Sequence, residues 1–280
     1  MFLITRIKEL DDKKIESFKK WLLKVSLEEI KKIFIISDKE SEAKLKKLAN
    51  LDKRIKFIED ENPTSPISMN MAIRNEEFIK GDPEGFIIVS KEVALGKNDI
   101  KKLISELRKN NNILCVGYKF KIKKGNKEIN KVKKDLKSFY SKKSLAYRVP
   151  WNTCIIWNYS LFKKYVVRFD EICNKNPFGK LNVCVDNVVK ETEYKGMEDG
   201  LAIAKAFSSR EAKIKFKLLD KKLKWDLKVK DISKQRIKLA RKNEVLLNFM
   251  ALRNYSVDDL LKSKNRILKT VINILIKRKR

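Results

Sequence analysis

The chain has 280 residues, 43% of them hydrophobic, which is enough for one large α/β domain with a packed core and argues against wholesale disorder. It contains no histidine, which excludes Ser-His-Asp and Cys-His catalysis and the common zinc sites that use histidine. Acid–base chemistry must therefore fall to Asp, Glu, Lys, Tyr or Cys. The formal net charge of +31 requires an anionic partner or an anionic surface nearby.

The cysteines and the apolar segments indicate a cellular location. The four cysteines, Cys115, Cys154, Cys173 and Cys184, are widely spaced and form no C-x-x-C pair, which is typical of thiols in a reducing compartment. No apolar run reaches the roughly 18 residues of a membrane-spanning helix, and the chain starts with a strand-like segment rather than a signal peptide. The sequence therefore predicts a cytoplasmic protein.

Up to residue 118, continuous apolar runs alternate with segments of helical periodicity. Apolar strands separated by helices are typical of a parallel sheet that is covered on both faces, so the predicted fold class is α/β. The runs predict strands at residues 2–7, 33–36, 55–58, 85–89 and 113–118, and helices at 15–25, 42–49, 67–79 and 98–107.

Polar side chains follow several of these predicted strands. In open parallel sheets, ligands bind at the carboxyl ends of the strands. Acidic residues at several of these positions indicate a site for a cation or for ribose hydroxyls. The residues concerned are Thr5, Arg6, Asp38, Glu59, Asp60, Ser90 and Glu92.

Beyond residue 119 the regular alternation ends. A basic stretch at residues 131–144 indicates a loop or surface helix near the site. The other predicted elements are a hairpin at residues 120–129 that turns at Gly125-Asn126, a strand at 149–157 and a helix at 160–165.

The C-terminal residues 213–280 form a basic extension. They contain 22 of the 67 basic residues but only 6 of the 36 acidic ones. Their net charge of +16 is therefore more than half of the +31 of the whole chain. Their apolar residues recur at spacings of three and four, which predicts amphipathic helices from residue 214 onward. Lysine-rich amphipathic helices fit an anionic membrane surface, although one apolar face could instead pack on the preceding domain. We therefore predict a domain at 1–212 and a mainly helical extension at 213–280.

A glycine-broken loop delivers two adjacent carboxylates, Glu198 and Asp199, to the start of a predicted helix that runs to Phe207. Adjacent acids at a helix start also have a structural explanation, because carboxylates accept hydrogen bonds from the first N–H groups and complement the helix dipole. The loop sequence is Lys195-Gly196-Met197-Glu198-Asp199-Gly200.

Three segments in order resemble the family 2 glycosyltransferases and their relatives with the GT-A fold. The first is residues 85–95, an apolar strand that ends in a short acidic motif, with Asn70 in the preceding helix. The second is residues 150–170, which contains a proline, small polar residues and a Phe-Asp pair. The third is residues 196–199, similar to the Gly-x-Glu-Asp motif of the family. The resemblance covers about residues 1–210 and implies a GT-A-like, mostly parallel sheet flanked by helices.

The resemblance also implies roles for individual residues. Asp199 would be the base that takes the proton of the acceptor hydroxyl, and Glu198 would orient it or contact the acceptor. Asp38 would contact the nucleotide base, and Thr5 and Arg6 would lie in the first-strand loop that contacts the nucleotide. Asn70 would also bind nucleotide, although an asparagine in a helix is also explained as polar surface.

The family's metal-binding Asp-x-Asp is replaced here by Ser90-Lys91-Glu92. Glu92 alone keeps a carboxylate for Mn²⁺ or Mg²⁺, although it can also be a solvated residue at a strand end. Lys91 would bring positive charge near the diphosphate. Trp151, Asn152 and Trp157 are assigned to the acceptor, and core packing is the alternative for the two tryptophans.

The predicted function is sugar transfer, with inversion, from a UDP- or GDP-linked donor to a glycan or lipid-linked acceptor. Such an enzyme would work in the cytoplasm or on the inner face of the membrane. One alternative is a non-catalytic protein with a GT-A-like fold. The other is a nucleic-acid-binding protein, which is less favoured because the tail has few aromatic residues and no recognition motif.

Overall fold

The computed structural model of the chain describes residues 1–8, 10–63, 66–122, 150–169, 180–185, 188–193, 198–207 and 214–225. The chain divides into two compact units. The first comprises Met1–Lys121, Pro150–Phe169 and Lys213–Asp226, and the second comprises Ile122–Val149, Asp170–Ala212 and Leu227–Arg280. The units interleave along the chain, whereas the sequence predicts a single division after residue 212.

An eight-stranded sheet forms the centre of the first unit. Its strands are β1 (Phe2–Ile7), β2 (Lys32–Ser37), β3 (Ile55–Glu59), β4 (Gly85–Val89), β5 (Val93–Ala94), β6 (Ile113–Ile122), β7 (Cys154–Asn158) and β10 (Lys215–Trp225). Their order across the sheet is β3-β2-β1-β4-β7-β6-β10-β5.

The first four strands of this order are parallel. β1 pairs with both β2 and β4, with Ile4 opposite Phe34 on one side and opposite Ile88 on the other. β7 runs antiparallel between β4 and β6. The predicted α/β class with a mostly parallel sheet is confirmed, and the apolar runs form buried strands because both faces of the sheet are covered.

Helices flank this sheet. They are α1 (Asp12–Val25), α2 (Lys39–Leu51), α3 (Pro66–Ile73), α4 (Glu76–Gly81), α5 (Lys97–Arg108) and α6 (Tyr159–Leu161), which continues as a π-helix at Phe162–Val166. No described helix is both long enough and apolar enough to cross a membrane.

The single helix predicted at residues 67–79 is two helices, α3 and α4. The first ends at Ile73, and Asn75 caps the second, because its side-chain Oδ1 accepts the N–H of Glu77 at 3.0 Å. An asparagine in this position satisfies a donor that the new helix leaves unpaired, so the break is stable.

Aromatic rings fill the core on one face of the sheet. Phe78 of α4 lies 5.1 Å from Phe2 and 5.7 Å from Phe86, measured between ring centroids. Phe86 in turn stacks on Trp157 of the antiparallel strand β7. Gly85 permits the close pairing of β4 with β7, because a Cβ atom there would lie 2.6 Å from the carbonyl oxygen of Trp157.

The prediction of helix from residue 214 is wrong for the described part of the C-terminal extension. Residues 215–225 form β10, which lies between β6 and β5 in the sheet. Its lysines reach two acids of α5: Lys217 pairs with Glu106, and Lys221 pairs with Asp99. Residues 226–280 lie outside the described residues.

Between residues 120 and 165, the observed elements differ from the predicted ones in their bounds. The hairpin predicted at 120–129 is described only to residue 122, where the chain still belongs to β6, and residues 131–144 lie outside the described residues. The strand predicted from residue 149 begins at Cys154, because a turn joins the Cys154 N–H to the carbonyl of Trp151 at 3.0 Å.

In the second unit, β8 (Lys180–Val185) and β9 (Val188–Glu193) form an antiparallel pair. The helix α7 (Glu198–Phe207) follows them in the sequence. The predicted helix that starts at Glu198 and ends at Phe207 is therefore confirmed.

Candidate functional site

The carboxyl ends of β1, β2 and β4 lie at one edge of the sheet. The parallel register sets Ile7 at the end of β1 opposite Ser37 at the end of β2. Binding sites of parallel sheets form at such an edge. The predicted polar residues that the parallel registers bring to the edge are Arg6, Asp38, Glu59, Asp60, Ser90, Lys91 and Glu92.

Thr5 and Arg6 point to opposite faces of the sheet, as neighbouring residues of a strand do. Thr5 is fully buried, and within the described part of the chain its hydroxyl has no hydrogen-bond partner. The same holds for Ser37 on the adjacent strand. Arg6 is half-buried, so of this pair it is the better placed to meet a ligand at the edge.

Asp38 caps α2. Its Oδ1 accepts the backbone N–H of Ser41 at 2.8 Å, and its Oδ2 accepts the hydroxyl of Ser41 at 3.0 Å. The side chain is half-buried. The capping bonds orient the carboxylate at the carboxyl end of β2, where the resemblance predicts contact with the nucleotide base.

The loop Ser90-Lys91-Glu92 is held by hydrogen bonds at both of its ends. The hydroxyl of Ser90 donates to Oε2 of Glu92 at 2.5 Å, and the carbonyl of Ser90 accepts the N–H of Val93 at 3.1 Å. The N–H of Ser90 donates to the carbonyl of Thr153 at 2.9 Å. The Ser90–Glu92 loop, which the resemblance assigns to binding of the sugar donor, therefore lies beside the turn that contains Trp151 and Asn152.

The three residues assigned to the acceptor are buried. Trp157 is fully enclosed and packs on Phe162 and Phe169, so for this residue the structure supports the core alternative. Asn152 is 3% exposed, and its Oδ1 accepts the indole N–H of Trp157 at 3.2 Å. Trp151 is also 3% exposed.

Trp225 is a candidate site residue that the sequence analysis missed. It pairs with Val93, directly after the Ser90–Glu92 loop, and its ring meets that of Trp151 edge-on at 6.0 Å. Phe120 completes the cluster, 5.7 Å from Trp225. Trp225 is half-exposed, so it offers an aromatic face at this edge. The tryptophan was visible in the sequence, but the helical prediction for residues 214 onward concealed its position.

Asn70 is buried, so the alternative explanation of this residue as polar surface does not hold. It is 7% exposed. Its amide N–H donates to the carbonyl of Phe169 at 2.8 Å, and its Oδ1 accepts the N–H of Phe169 at 2.8 Å. The side chain thus holds a backbone segment 99 residues further along the chain.

Asp199 lies in the second unit, in the first turn of α7. It is 3% exposed, and its Oδ1 accepts the N–H of Gly200 at 2.7 Å. This bond agrees with the role of an acid at a helix start, and a buried carboxylate also suits a general base. Glu198 is the first residue of α7, and its side chain lies outside the described residues.

Solved structures of a mannosyltransferase and of TarS resemble this chain along nearly all of its length. A mannosyltransferase from Pyrobaculum calidifontis, in complex with GDP-Man and Mn²⁺, superposes with a TM-score of 0.59 at 9% identity, over 97% of this chain and 68% of that one. Residues 1–349 of TarS from S. aureus superpose with a TM-score of 0.51 at 14% identity, over 98% and 71%. The complex of that TarS fragment with UDP-GlcNAc gives 0.52 at 13% identity, over 97% and 70%.

The chain has a GT-A-like fold. No family model matches the sequence, and no curated protein matches it significantly. The fold predicted from the three motif segments is therefore confirmed at the level of the structure.

Protein ligands for a divalent metal ion are few in the described part of this GT-A-like fold. Among the described residues, no three Cys, Asp or Glu side chains come together in a way that could hold one. The Ser90–Glu92 loop supplies a single carboxylate, which already accepts the Ser90 hydroxyl. A magnesium ion in a protein is usually held by one or two carboxylates together with substrate phosphates and water, so Glu92 would hold a divalent ion only together with the diphosphate of a donor.

Two other groups that could carry acid–base chemistry are unsuitable as bases. Burial raises the pKa of the Cys154 thiol well above its ordinary value. Burial likewise raises the pKa of Tyr118, whose hydroxyl donates to the carbonyl of Asp99 at 3.0 Å. Both groups stay protonated at neutral pH, so neither is a candidate base.

Proposed function

We propose that the chain is a nucleotide-sugar-dependent glycosyltransferase that transfers a sugar with inversion to a hydroxyl of a glycan or lipid-linked acceptor. The observation that carries the proposal is the set of polar residues at the carboxyl edge of a GT-A-like sheet. Arg6, Asp38 and the Ser90–Glu92 loop come from three parallel strands and meet at this edge. The structural neighbours crystallised with UDP-GlcNAc and GDP-Man support the choice of donor class.

In the proposed reaction, the acceptor oxygen attacks the anomeric carbon of the donor. The bond from that carbon to the phosphate oxygen breaks, and the nucleoside diphosphate leaves with the bonding electron pair. Asp199 takes the proton of the attacking hydroxyl. Positioned proton transfer of this kind contributes about 10² to 10⁴-fold in rate.

The leaving diphosphate develops negative charge that cations must stabilise. Arg6 and Lys91 are half-buried cationic side chains at this edge, whereas Lys8, which follows the end of β1, is exposed. A fixed cation in a partly desolvated position interacts more strongly with a developing charge than a solvated one. We therefore assign this role to Lys91 and Arg6.

A thermal-shift series tests the proposal. UDP-GlcNAc, UDP and GDP-mannose should be titrated in EDTA and again with Mn²⁺, because a ligand that binds only the folded state raises the melting temperature with the logarithm of its concentration. We expect at least one of these ligands to raise the melting temperature in EDTA, and Lys91→Ala to reduce that rise. Lys97→Ala, an exposed lysine of α5, is the matched control.

A series in which no nucleotide or nucleotide sugar raises the melting temperature would contradict the transferase proposal. It would favour the non-catalytic alternative, and salt-dependent binding of RNA would favour the nucleic-acid alternative. A shift that appears only with Mn²⁺ would contradict the assignment of Lys91 and Arg6. It would also support Glu92 as a metal ligand.

We also propose a cytoplasmic location with peripheral attachment to the inner face of a membrane. The support is compositional: the last residues of the chain read Lys277-Arg278-Lys279-Arg280 and follow an apolar stretch of helical spacing. Basic residues near an anionic leaflet contribute about 1 kcal/mol each. Such attachment would bring the enzyme to lipid-linked acceptors.

A further inference from the structure

A group of charged side chains joins the C-terminal end of α5 to the start of β10, within the first unit. Three lysines surround the carboxylate of Glu106. The Nζ of Lys102 lies 3.0 Å and the Nζ of Lys109 lies 2.7 Å from its Oε1, and Lys217 pairs with its Oε2. We call Lys102, Lys109 and Lys217 the lysine cluster. Glu106 is 2% exposed, whereas the side chains of the cluster are 46–57% exposed.

The lysine cluster carries more positive charge than its carboxylate can balance. The pKa of Glu106 is lowered to about 2 by its hydrogen bonds with the cluster, so at neutral pH three ammonium groups face one ionised carboxylate and the net charge is +2. The other acids of α5 and β10 have cations of their own: Asp99 pairs with Lys221, and Asp220 pairs with Lys119. Within these two elements, all of whose residues are described, the excess charge therefore remains uncompensated.

The three ammonium groups are also crowded and have unused donors. Lys102 and Lys109 contact the same carboxylate oxygen, so their nitrogens cannot be further apart than the sum of those two contact distances. Like charges at this separation repel each other. A lysine has three N–H donors, and each lysine of the cluster directs one of them to Glu106. Two donors on each lysine remain for an anion or for water.

The charge and the donors of the lysine cluster match one class of ligand. A phosphate monoester carries a charge of about −1.5 to −2 at pH 7 and presents three strong acceptor oxygens. A phosphodiester carries a single charge and would leave part of the excess uncompensated. We propose that the lysine cluster is a binding site for a phosphomonoester group, held by Lys102, Lys109 and Lys217 together.

This site lies apart from the carboxyl edge to which the nucleotide sugar is assigned. About 13 Å of helix lies between Lys97, the first residue of α5, and Glu106. The proposal therefore does not depend on glycosyl transfer. The same phosphomonoester chemistry occurs in a soluble sugar phosphate and in the headgroup of phosphatidic acid, and the experiments below distinguish these two sources.

Inorganic phosphate is the first probe, titrated into the full chain at constant ionic strength with chloride as the balancing anion. We expect phosphate to raise the melting temperature, because it binds the folded state. Lys217→Ala should weaken the apparent phosphate affinity about 10-fold, since it removes one charged hydrogen-bond donor. Lys46→Ala is the matched control: Lys46 is an exposed lysine of α2 that lies 3.9 Å from Glu42. Equal phosphate affinities of the two variants would overturn the proposal.

Glu106→Gln tests the proposal with an effect of the opposite sign. Loss of the carboxylate raises the net charge of the cluster, so this variant should bind phosphate about 10-fold more tightly than wild type, although it melts lower without phosphate. If the lysines served only as partners of Glu106, the phosphate-induced shift of Glu106→Gln would equal that of wild type or fall below it. That result would overturn the proposal. Lys217→Ala keeps the test decisive where Glu106→Gln does not fold.

Lys91→Ala separates the lysine cluster from the carboxyl edge. We expect this variant to keep most of the shift produced by inorganic phosphate, and Lys217→Ala to keep the shift produced by UDP-GlcNAc or GDP-mannose. Loss of the phosphate shift in Lys91→Ala, with none in Lys217→Ala, would overturn the proposal. A phosphate shift that depends on Lys217 in a chain that responds to no nucleotide sugar would support the lysine cluster and contradict only the proposed function.

The source of the phosphomonoester is tested with glucose 1-phosphate and with vesicles. Phosphatidylcholine vesicles that contain phosphatidic acid, a monoester, are compared with vesicles that contain phosphatidylglycerol, a diester. A preference for phosphatidic acid that Lys217→Ala removes would support a lipid headgroup as the ligand. A shift with glucose 1-phosphate that Lys217→Ala reduces, without such a preference, would support a soluble ligand. If Lys217→Ala matched wild type with phosphate, glucose 1-phosphate and both kinds of vesicle, the lysine cluster would not be a phosphate site.

Discussion

Asp199 is a buried carboxylate, 3% exposed, in a chain that has no histidine. The variant Asp199→Asn keeps the shape of the side chain and its capping oxygen but removes the base. We expect kcat to fall by about 10² to 10⁴-fold, while the thermal shift produced by the donor stays close to that of wild type.

Asp82→Asn is the matched control for this variant. Asp82 is exposed, adopts a left-handed conformation that asparagine tolerates, and pairs with Lys163 at 2.7 Å. Its replacement should leave turnover unchanged. If Asp199→Asn turned over at the wild-type rate, the Asp199 carboxylate would serve only as a helix cap.

Gly117 of β6 shows how close packing at one residue supports the site. A Cβ atom at this position would lie 2.6 Å from Cβ of Pro150 and 3.2 Å from the carbonyl oxygen of Cys154. We expect Gly117→Ala to destabilise the fold by about 1–3 kcal/mol, the usual range for overpacking. Gly96→Ala is the control, because no atom lies within 4 Å of a Cβ there. Equal melting temperatures for the two variants would contradict the close approach of Pro150.

At the scale of elements, ion pairs join α5 to β10. Glu106 of α5 is buried, and its carboxylate accepts hydrogen bonds from Lys109, Lys217 and Lys102, which lower its pKa from 4.5 to about 2. A carboxyl group whose pKa is lowered in the folded state stabilises the fold above its unfolded pKa. That stabilisation disappears as the pH falls toward the folded pKa.

The pH dependence of the stability lost in Glu106→Gln follows from the lowered pKa of Glu106. We expect the variant to melt below wild type between about pH 5 and pH 8, with a constant difference, because Glu106 is ionised in both states there. The difference should shrink as the pH falls from about 4.5 to about 2. Asp220→Asn is the control: Asp220 is exposed and pairs with Lys119, so it should change stability little. A difference that persists at pH 2 would contradict the ionic origin of the effect.

At the scale of the whole molecule, the basic charge predicts where the protein works. We expect salt-sensitive binding of the full chain to vesicles that contain anionic lipid, and loss of that binding on truncation after Lys234. Truncation near residue 210 would be unsuitable, because it would also remove β10 from the sheet.

Neutral vesicles and the truncated chain are the controls for membrane binding. The truncated chain should keep the melting temperature of the sheet-containing unit, since β10 ends at Trp225. Equal sedimentation of the full chain with neutral and anionic vesicles would contradict attachment. Tighter salt-dependent binding to RNA than to vesicles would shift the interpretation to nucleic acid.

The local pattern of the sequence determined the parallel part of the fold. Each apolar run in the first 90 residues is long enough to form a strand covered on both faces, so β1, β2, β3 and β4 were predictable within one or two residues. The polar residues after these strands were predictable for the same reason, because the carboxyl ends of parallel strands meet at one edge. The helix start at Glu198 was equally local, since a glycine-broken loop followed by good helix formers is readable without its surroundings.

Contacts between distant parts of the chain decided the rest. Residues 215–225 have apolar positions that suit either a helix or a strand, and pairing with β5 together with the ion pairs to α5 selects the strand. The role of Asn70 depends on Phe169, 99 residues away, and the position of Trp225 depends on Val93. Periodicity reports only which face of an element is apolar, so the partner of each side chain is settled by tertiary packing.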